Sequence, residues 1–190
     1  MKLLVLTAPS GAGKTTIARR LMAEVPGLRF SVSATTRPPR EEEIQDVHYH
    51  FLTLGEFSDR LDAGDFLEHE EVYPGRFYGT LRPELERLAA DPEVRAVVLD
   101  IDVKGALNVK RLYGDAALTL FVAPPSLDAL AARLDARGTE DAQQRAVRLE
   151  RAEMEMAHAP EFDAVVVNDA LEAAVAETVG HVRAFLDGPA

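Results

Sequence analysis

Ser10, Gly11, Ala12, Gly13, Lys14 and Thr15 stand in that order after an apolar run, Leu3 to Leu6, and directly before a helical pattern. In that context successive backbone N–H groups and a helix N-terminus form a nest for an anion. The Lys14 ammonium can reach terminal phosphates, and the Thr15 hydroxyl can hold Mg²⁺. Gly11 and Gly13 let the chain approach phosphate closely. The usual loop opens on glycine where this chain has Ala8, which is harmless provided that Ala8 ends the strand with a negative φ. The stretch reads as a nucleoside triphosphate site, without separating GTPases, motor ATPases and small-molecule kinases.

A second anion site is suggested by Ser33 to Arg40, SATTRPPR, where two arginines stand three apart in a segment stiffened by two prolines. Guanidinium forks suit bidentate contact with phosphate. Local positive charge matters because the 190-residue chain carries 21 basic and 32 acidic residues, a net charge of −11. That balance argues against non-specific binding to nucleic acid or to anionic membrane. Asp100 and Asp102 lie two apart at the end of an apolar strand, so their side chains leave on the same face, and either alone could equally cap a helix. Arg133 and Arg137 fall on one helix face, and Arg145, Arg148 and Arg151 on the next, a spacing that in isolation describes a solvated face. The five histidines show no ligand spacing, so the only metal expected is nucleotide-bound Mg²⁺. There is no cysteine to form a disulfide or a thiolate site.

The elements that must hold these groups follow from periodicity. Leu3 to Leu6, Val94 to Leu99, Leu118 to Val122 and Ala164 to Val167 read as buried strands. Helical patterns alternate with them over Lys14 to Glu24, Val103 to Leu112, Leu127 to Ala136, Ala142 to His158 and Leu171 to Leu186. This alternation predicts an α/β fold, a parallel sheet with helices on both faces. From Phe30 to about Thr80 the rhythm breaks into short strand-like pieces, Tyr49 to Phe51 and Phe66 to Val72, and a helix near Leu54 to Leu61, as in a small mixed α+β insertion. The N-terminal apolar run is too short for a signal-peptide core or a membrane span and reads as a strand of a cytoplasmic protein.

In family order along nearly the whole chain stand APSGAGKTT, FSVSATTRPPR, VHYHF, FLEHEEV, FYGT, LDIDVKGA, FVAPPS, RLDARGTED and VVNDALEAA. With these motifs the chain resembles the guanylate kinases, P-loop enzymes that move phosphate from ATP to GMP. FSVSATTRPPR and LDIDVKG are the most specific of them. The resemblance implies a P-loop core of residues 1–32, 81–126 and 159–190, a GMP-binding subdomain of residues 33–80 and a helical lid of residues 127–158.

By the same resemblance, Ser10, Gly11, Ala12, Gly13, Lys14, Thr15, Thr16, Arg133 and Asn168 are expected at ATP. Arg37, Arg40, Tyr49 and Tyr78 are expected at the GMP phosphate, and Ser33, Glu68, Thr80 and Asp102 around the guanine. Thr15 and Asp100 would hold Mg²⁺, while Lys14, Arg37, Arg137 and Arg148 would act on the transferring group. Two carboxylates suit guanine, which offers donors at N1 and N2, whereas adenine turns an acceptor toward them.

Several residues depart from the family pattern. Glu41, Glu42 and Glu43 stand where Pro-Gly-Glu is usual, Asp46 replaces a usual glycine, and His48 and His69 replace a usual Asp and a common Trp. Pro74 and Arg76 lengthen a turn by one residue. Other readings are a scaffold domain of guanylate kinase shape, a P-loop kinase of ribose 1,5-bisphosphate, and a GTPase. The last would want an NKxD element, and Asn168-Asp169 lacks the lysine.

Overall fold

Strand β1 (Lys2–Thr7) shows why the chain forms a three-layer core. Its side chains alternate, Leu4 and Leu6 entering one hydrophobic cluster and Leu3 and Val5 the other, so both faces must be covered. Strands β7 (Ala96–Asp100) and β8 (Ala117–Ala123) flank it in parallel and alternate in the same way. Val98 and Leu120 join the first cluster, Val97 and Phe121 the second. Each fully buried side chain of this kind contributes roughly 1.5–3 kcal/mol. The computed structural model describes residues 1–137 and 142–188, excluding the side chains of Arg137, Ala142 and Gln144.

The main sheet has five parallel strands in the order β2-β7-β1-β8-β9, with β2 (Leu28–Phe30) and β9 (Ala164–Val167) at its edges. Helices α1 (Lys14–Glu24) and α7 (Leu171–Asp187) cover one face, through Ile17, Leu21, Val175 and Val182. Helices α3 (Arg82–Ala89) and α4 (Val103–Tyr113) cover the other, through Leu85, Leu88, Ala106 and Val109. The order changes direction at β1, between β7 and β8. A crevice therefore opens at the carboxyl ends of these strands.

The insertion is a four-stranded mixed sheet, order β4-β3-β6-β5, built from β3 (Ala34–Thr35), β4 (His50–Phe51), β5 (Phe66–Tyr73) and β6 (Arg76–Leu81). Helix α2 (Leu54–Asp62) lays Phe57 on Phe66, ring centroids 4.3 Å apart, and begins at a reciprocal cap between Thr53 and Glu56. Helix α5 (Leu127–Arg137) packs on α6 (Ala142–Ala157) through Leu130, Leu134 and Ala152.

The expected α/β architecture is the one found, with elements the sequence reading lacked. β2 is three residues with a central arginine, and β3 only two, too short to show a period. β6 mixes charged, aromatic and glycine residues, so its pairing with β5 supplies the order that its own pattern does not. α3 carries proline in its first turn, a helix-start signal present in the sequence.

Candidate active site

The loop after β1 closes with the Ala12 N–H donating to the Pro9 carbonyl at 3.0 Å, and α1 starts at Lys14. Gly11 and Gly13 take φ of 96° and 99°, which L side chains rarely adopt. A Cβ on Gly13 would also meet the Asn168 side-chain nitrogen at 2.3 Å. The only non-glycine residue with positive φ among those described is Asp46, so Ala8, just past the end of β1, has the negative φ expected of it. Asp46 occupies a position where the family pattern has glycine, and aspartate is among the few side chains that tolerate this conformation, here with φ 63°.

Lys14 forms an ion pair with Asp100 at the end of β7. Arg148 of α6 donates to the Ser10 hydroxyl at 2.7 Å, bringing one arginine of the expected lid onto the loop. Beneath the loop, buried Asn168 donates to the Ala12 carbonyl at 2.7 Å, and Arg133 donates to the Asn168 carbonyl at 2.8 Å. These two residues brace the loop backbone from behind instead of lining the cleft. Arg137 was expected at the transferring group, and its side chain lies outside the described residues.

Across the cleft, Glu68 is buried on β5 and accepts from the Thr80 hydroxyl at 2.6 Å. Burial raises its carboxyl from 4.5 to about 7, opposed by the Thr80 hydrogen bond and assisted by the charge of Asp102. Asp102 is the N-cap of α4, accepting the Gly105 N–H at 2.8 Å, so the capping role and the cleft position coincide. Gly105 lets the carboxyl approach the helix: a Cβ there would meet Glu68 Oε2 at 2.6 Å.

Arg37 is 8% exposed and heavily engaged. It donates from both terminal nitrogens to Glu43, at 2.6 and 2.8 Å, and from Nε to the Tyr78 hydroxyl at 3.2 Å, and its guanidinium lies 5.1 Å from the Tyr49 ring centre. Glu43 also accepts the Arg40 N–H at 2.7 Å. The Arg37 hydrogen bonds hold the Glu43 carboxyl at about 2, while Arg37 itself is pushed up chiefly by Glu43. Burial first, then the charge of Asp100, raises the Tyr49 phenol.

Ser33, Arg40, Tyr49, Glu68, Tyr78 and Asp102 thus face Ser10, Lys14, Thr15, Thr16, Asp100 and Arg148 across one cleft of about 410 Å³. Two walls of different origin, the main sheet and the insertion, meet there. Thr15 and Asp100 present hydroxyl and carboxylate oxygens on the loop side, a hard-oxygen pair that fits a Mg²⁺ carried by a triphosphate. Glu43 was missed as the partner of Arg37, with no local signal to find it. Arg151 and Glu155 also line the cleft, signalled only by the spacing of Arg151 from Arg148.

None of the departures at Glu41, Glu42, Asp46, His48, His69, Pro74 and Arg76 lines the cleft. His48 Nδ1 accepts the Ile44 N–H at 3.0 Å and steadies the loop. His69 sits edge-on to Phe57 and Phe66 on the outer side of the insertion.

A family model described as guanylate kinase matches residues 1–185. The guanylate kinase of Salinibacter ruber is 61% identical over 97% of this chain and 96% of its own length. That of Bacteroides thetaiotaomicron is 47% identical over 98% and 90%. Among solved structures, the guanylate kinase of Anaplasma phagocytophilum superposes with a TM-score of 0.78 at 29% identity, covering 98% of this chain and 87% of that one.

Proposed function

The chain belongs to the guanylate kinase family, and from that premise we propose how its cleft carries out the family's reaction, reversible transfer of the γ-phosphoryl group of Mg-ATP to GMP to give ADP and GDP. The observation that carries the reading is the meeting of two anion-binding walls in one cleft, one with Lys14 on a P-loop, the other with Glu68 and Asp102 above Arg40, Tyr49 and Tyr78. Residues 33–80 serve as the GMP-binding part, residues 127–158 as the lid, and the remainder as the P-loop core.

The attacking oxygen of GMP is already anionic at neutral pH, so no general base is required. What the chain must do is align two polyanions and offset their charge. Loop N–H groups and Lys14 hold the triphosphate, while Arg37, Arg40, Tyr49 and Tyr78 hold the monophosphate. On GMP binding, Arg37 exchanges part of its Glu43 contact for phosphate. Glu68 and Asp102 accept from guanine N1 and N2, and Ser33 and Thr80 complete that edge. Thr15 and Asp100 would hold a Mg²⁺ carried by the triphosphate, which would supply positive charge against the phosphates. Arg148, with Arg137, adds charge to the transferring group as the lid closes and water leaves. The reaction is proposed to take place in the cytoplasm.

The departures from the family pattern lie off the cleft and are expected to alter GMP affinity and leave base choice intact. The site assignment is tested by splitting binding from chemistry. Lys14→Ala should bind GMP normally in calorimetry yet lose roughly 10²–10³ in kcat. Glu68→Gln should bind Mg-ADP normally and lose guanine selectivity. Equal loss of both ligands in both variants would contradict the assignment.

A further inference from the structure

Arg148 and Arg151 stand three apart on α6 and therefore share a face of it. Arg148 reaches the P-loop at Ser10. Arg151 turns the other way, donating to the Val72 carbonyl of β5 at 2.6 Å, with its guanidinium 5.2 Å from the Tyr73 ring centre. Glu155, one turn along, accepts from Arg151 Nε at 2.8 Å and fixes the fork in this orientation. One turn of a single helix thus touches both walls of the cleft.

The acceptor of this bond is set up by the β5–β6 hairpin. Glu71 pairs with Phe77 and Tyr73 with Arg76, and the register shifts between them, leaving Val72 without an opposite residue in β6. Such a bulge removes a residue from the ladder and re-aims its backbone. Here it presents a carbonyl to α6. A guanidinium can satisfy that carbonyl, a carboxylate and an aromatic face together because its donors form a planar fork, which an ammonium lacks.

We propose that Arg151 is a positioning residue that straps α6 to the β5–β6 hairpin and thereby couples the two nucleotide sites. A nucleotide that draws α6 onto the P-loop through Arg148 also draws the hairpin, which carries Glu68 and Tyr78, over the acceptor. GMP binding transmits the same preference in reverse, since linkage is reciprocal. The inference rests on the assignment of the two walls to ATP and GMP.

The test is GMP affinity, by calorimetry on the full chain, with and without saturating Mg-ADP, a pair that binds without turnover. The wild-type chain is expected to bind GMP at least about fivefold tighter when Mg-ADP is present. Arg151→Ala should bring that ratio to within about twofold of one while changing GMP affinity alone by less than about threefold. Arg151→Lys, which keeps one donor for Val72, should recover part of the ratio. Equal ratios in wild type and Arg151→Ala, or a wild-type ratio of one, would overturn the strap. Absence of GMP binding by the wild-type chain would remove the assignment itself and the inference with it. Thermal denaturation of each variant separates these results from a failure to fold.

Discussion

Glu68 is a carboxyl whose surroundings oppose the charge its proposed role demands. Under the proposed assignment it accepts from guanine in its ionised form, yet burial raises it from 4.5 to about 7. Because the folded value lies above the unfolded one, the protonated form is the one folding favours. Its stabilisation is full below about pH 4.5 and is lost as pH rises through about 7. The difference amounts to about 3 kcal/mol. Glu68→Gln should therefore raise the melting temperature at pH 8 more than at pH 5, measured by thermal denaturation of the nucleotide-free protein. In the wild type the KM for GMP should rise as pH falls through about 7, where the acceptor form is titrated away. A KM flat from pH 6 to 8 would contradict a binding role for the ionised form.

Many of the residues that meet in the cleft were singled out in the sequence as forks, hydroxyls and carboxylates at local spacing. Their partners were not. Nothing in the local pattern said that Glu43 would close on Arg37, or that Asn168 would stand behind Ala12, since both contacts join segments set by the fold.

At the scale of elements, the P-loop depends on what lies beneath it. Asn168 follows β9, and its amide reaches across 156 residues to Ala12. Asn168→Ala leaves the buried Ala12 carbonyl without that donor, a loss of about 1–3 kcal/mol in loop preorganisation. KM for ATP should rise roughly tenfold while GMP affinity, measured alone, stays within about twofold.

A second tie secures β8. Asp163 accepts the N–H and hydroxyl of fully buried Thr119, at 2.8 and 2.9 Å, and pairs with Lys110. Asp163→Ala should lower the melting temperature by about 5 °C at pH 7 without moving either KM. The Asp163 carboxyl is held below its usual value, burial opposing and Lys110 and Thr119 prevailing. That contribution is present above the unfolded value of 3.8 and fades as pH falls through the lower folded value.

Long periodic elements such as α1, α4, α7 and the three central strands were readable because burial on one or both faces imposes a pattern on the residues. Pairing decides β3, β4 and β6, whose few residues carry no period of their own. Their existence depends on neighbours distant in sequence, which a local window does not contain.

For the whole molecule, a net charge of −11 surrounds a cleft that must admit two polyanions. Lys14, Arg40, Arg148 and Arg151 supply positive charge on its walls beside Glu68, Glu70, Asp100, Asp102 and Glu155, and the rest of the surface repels itself. Raising NaCl from about 0.02 to 0.5 M should raise the melting temperature by a few degrees as this repulsion is screened, and should raise KM for both nucleotides as attraction at the cleft is screened too. A fall in melting temperature would mean that the surface ion pairs outweigh the repulsion.

The central claim concerns which acceptor the second wall recognises. The most direct measurement is ADP release from Mg-ATP with GMP, AMP, CMP, UMP and dTMP supplied in turn. The arrangement of Glu68 and Asp102 predicts release with GMP and a rate lower by about 10⁴-fold or more with AMP, because adenine leaves those buried acceptors unpaired. Comparable release with AMP, or ATP hydrolysis at the same rate with no acceptor present, would contradict it.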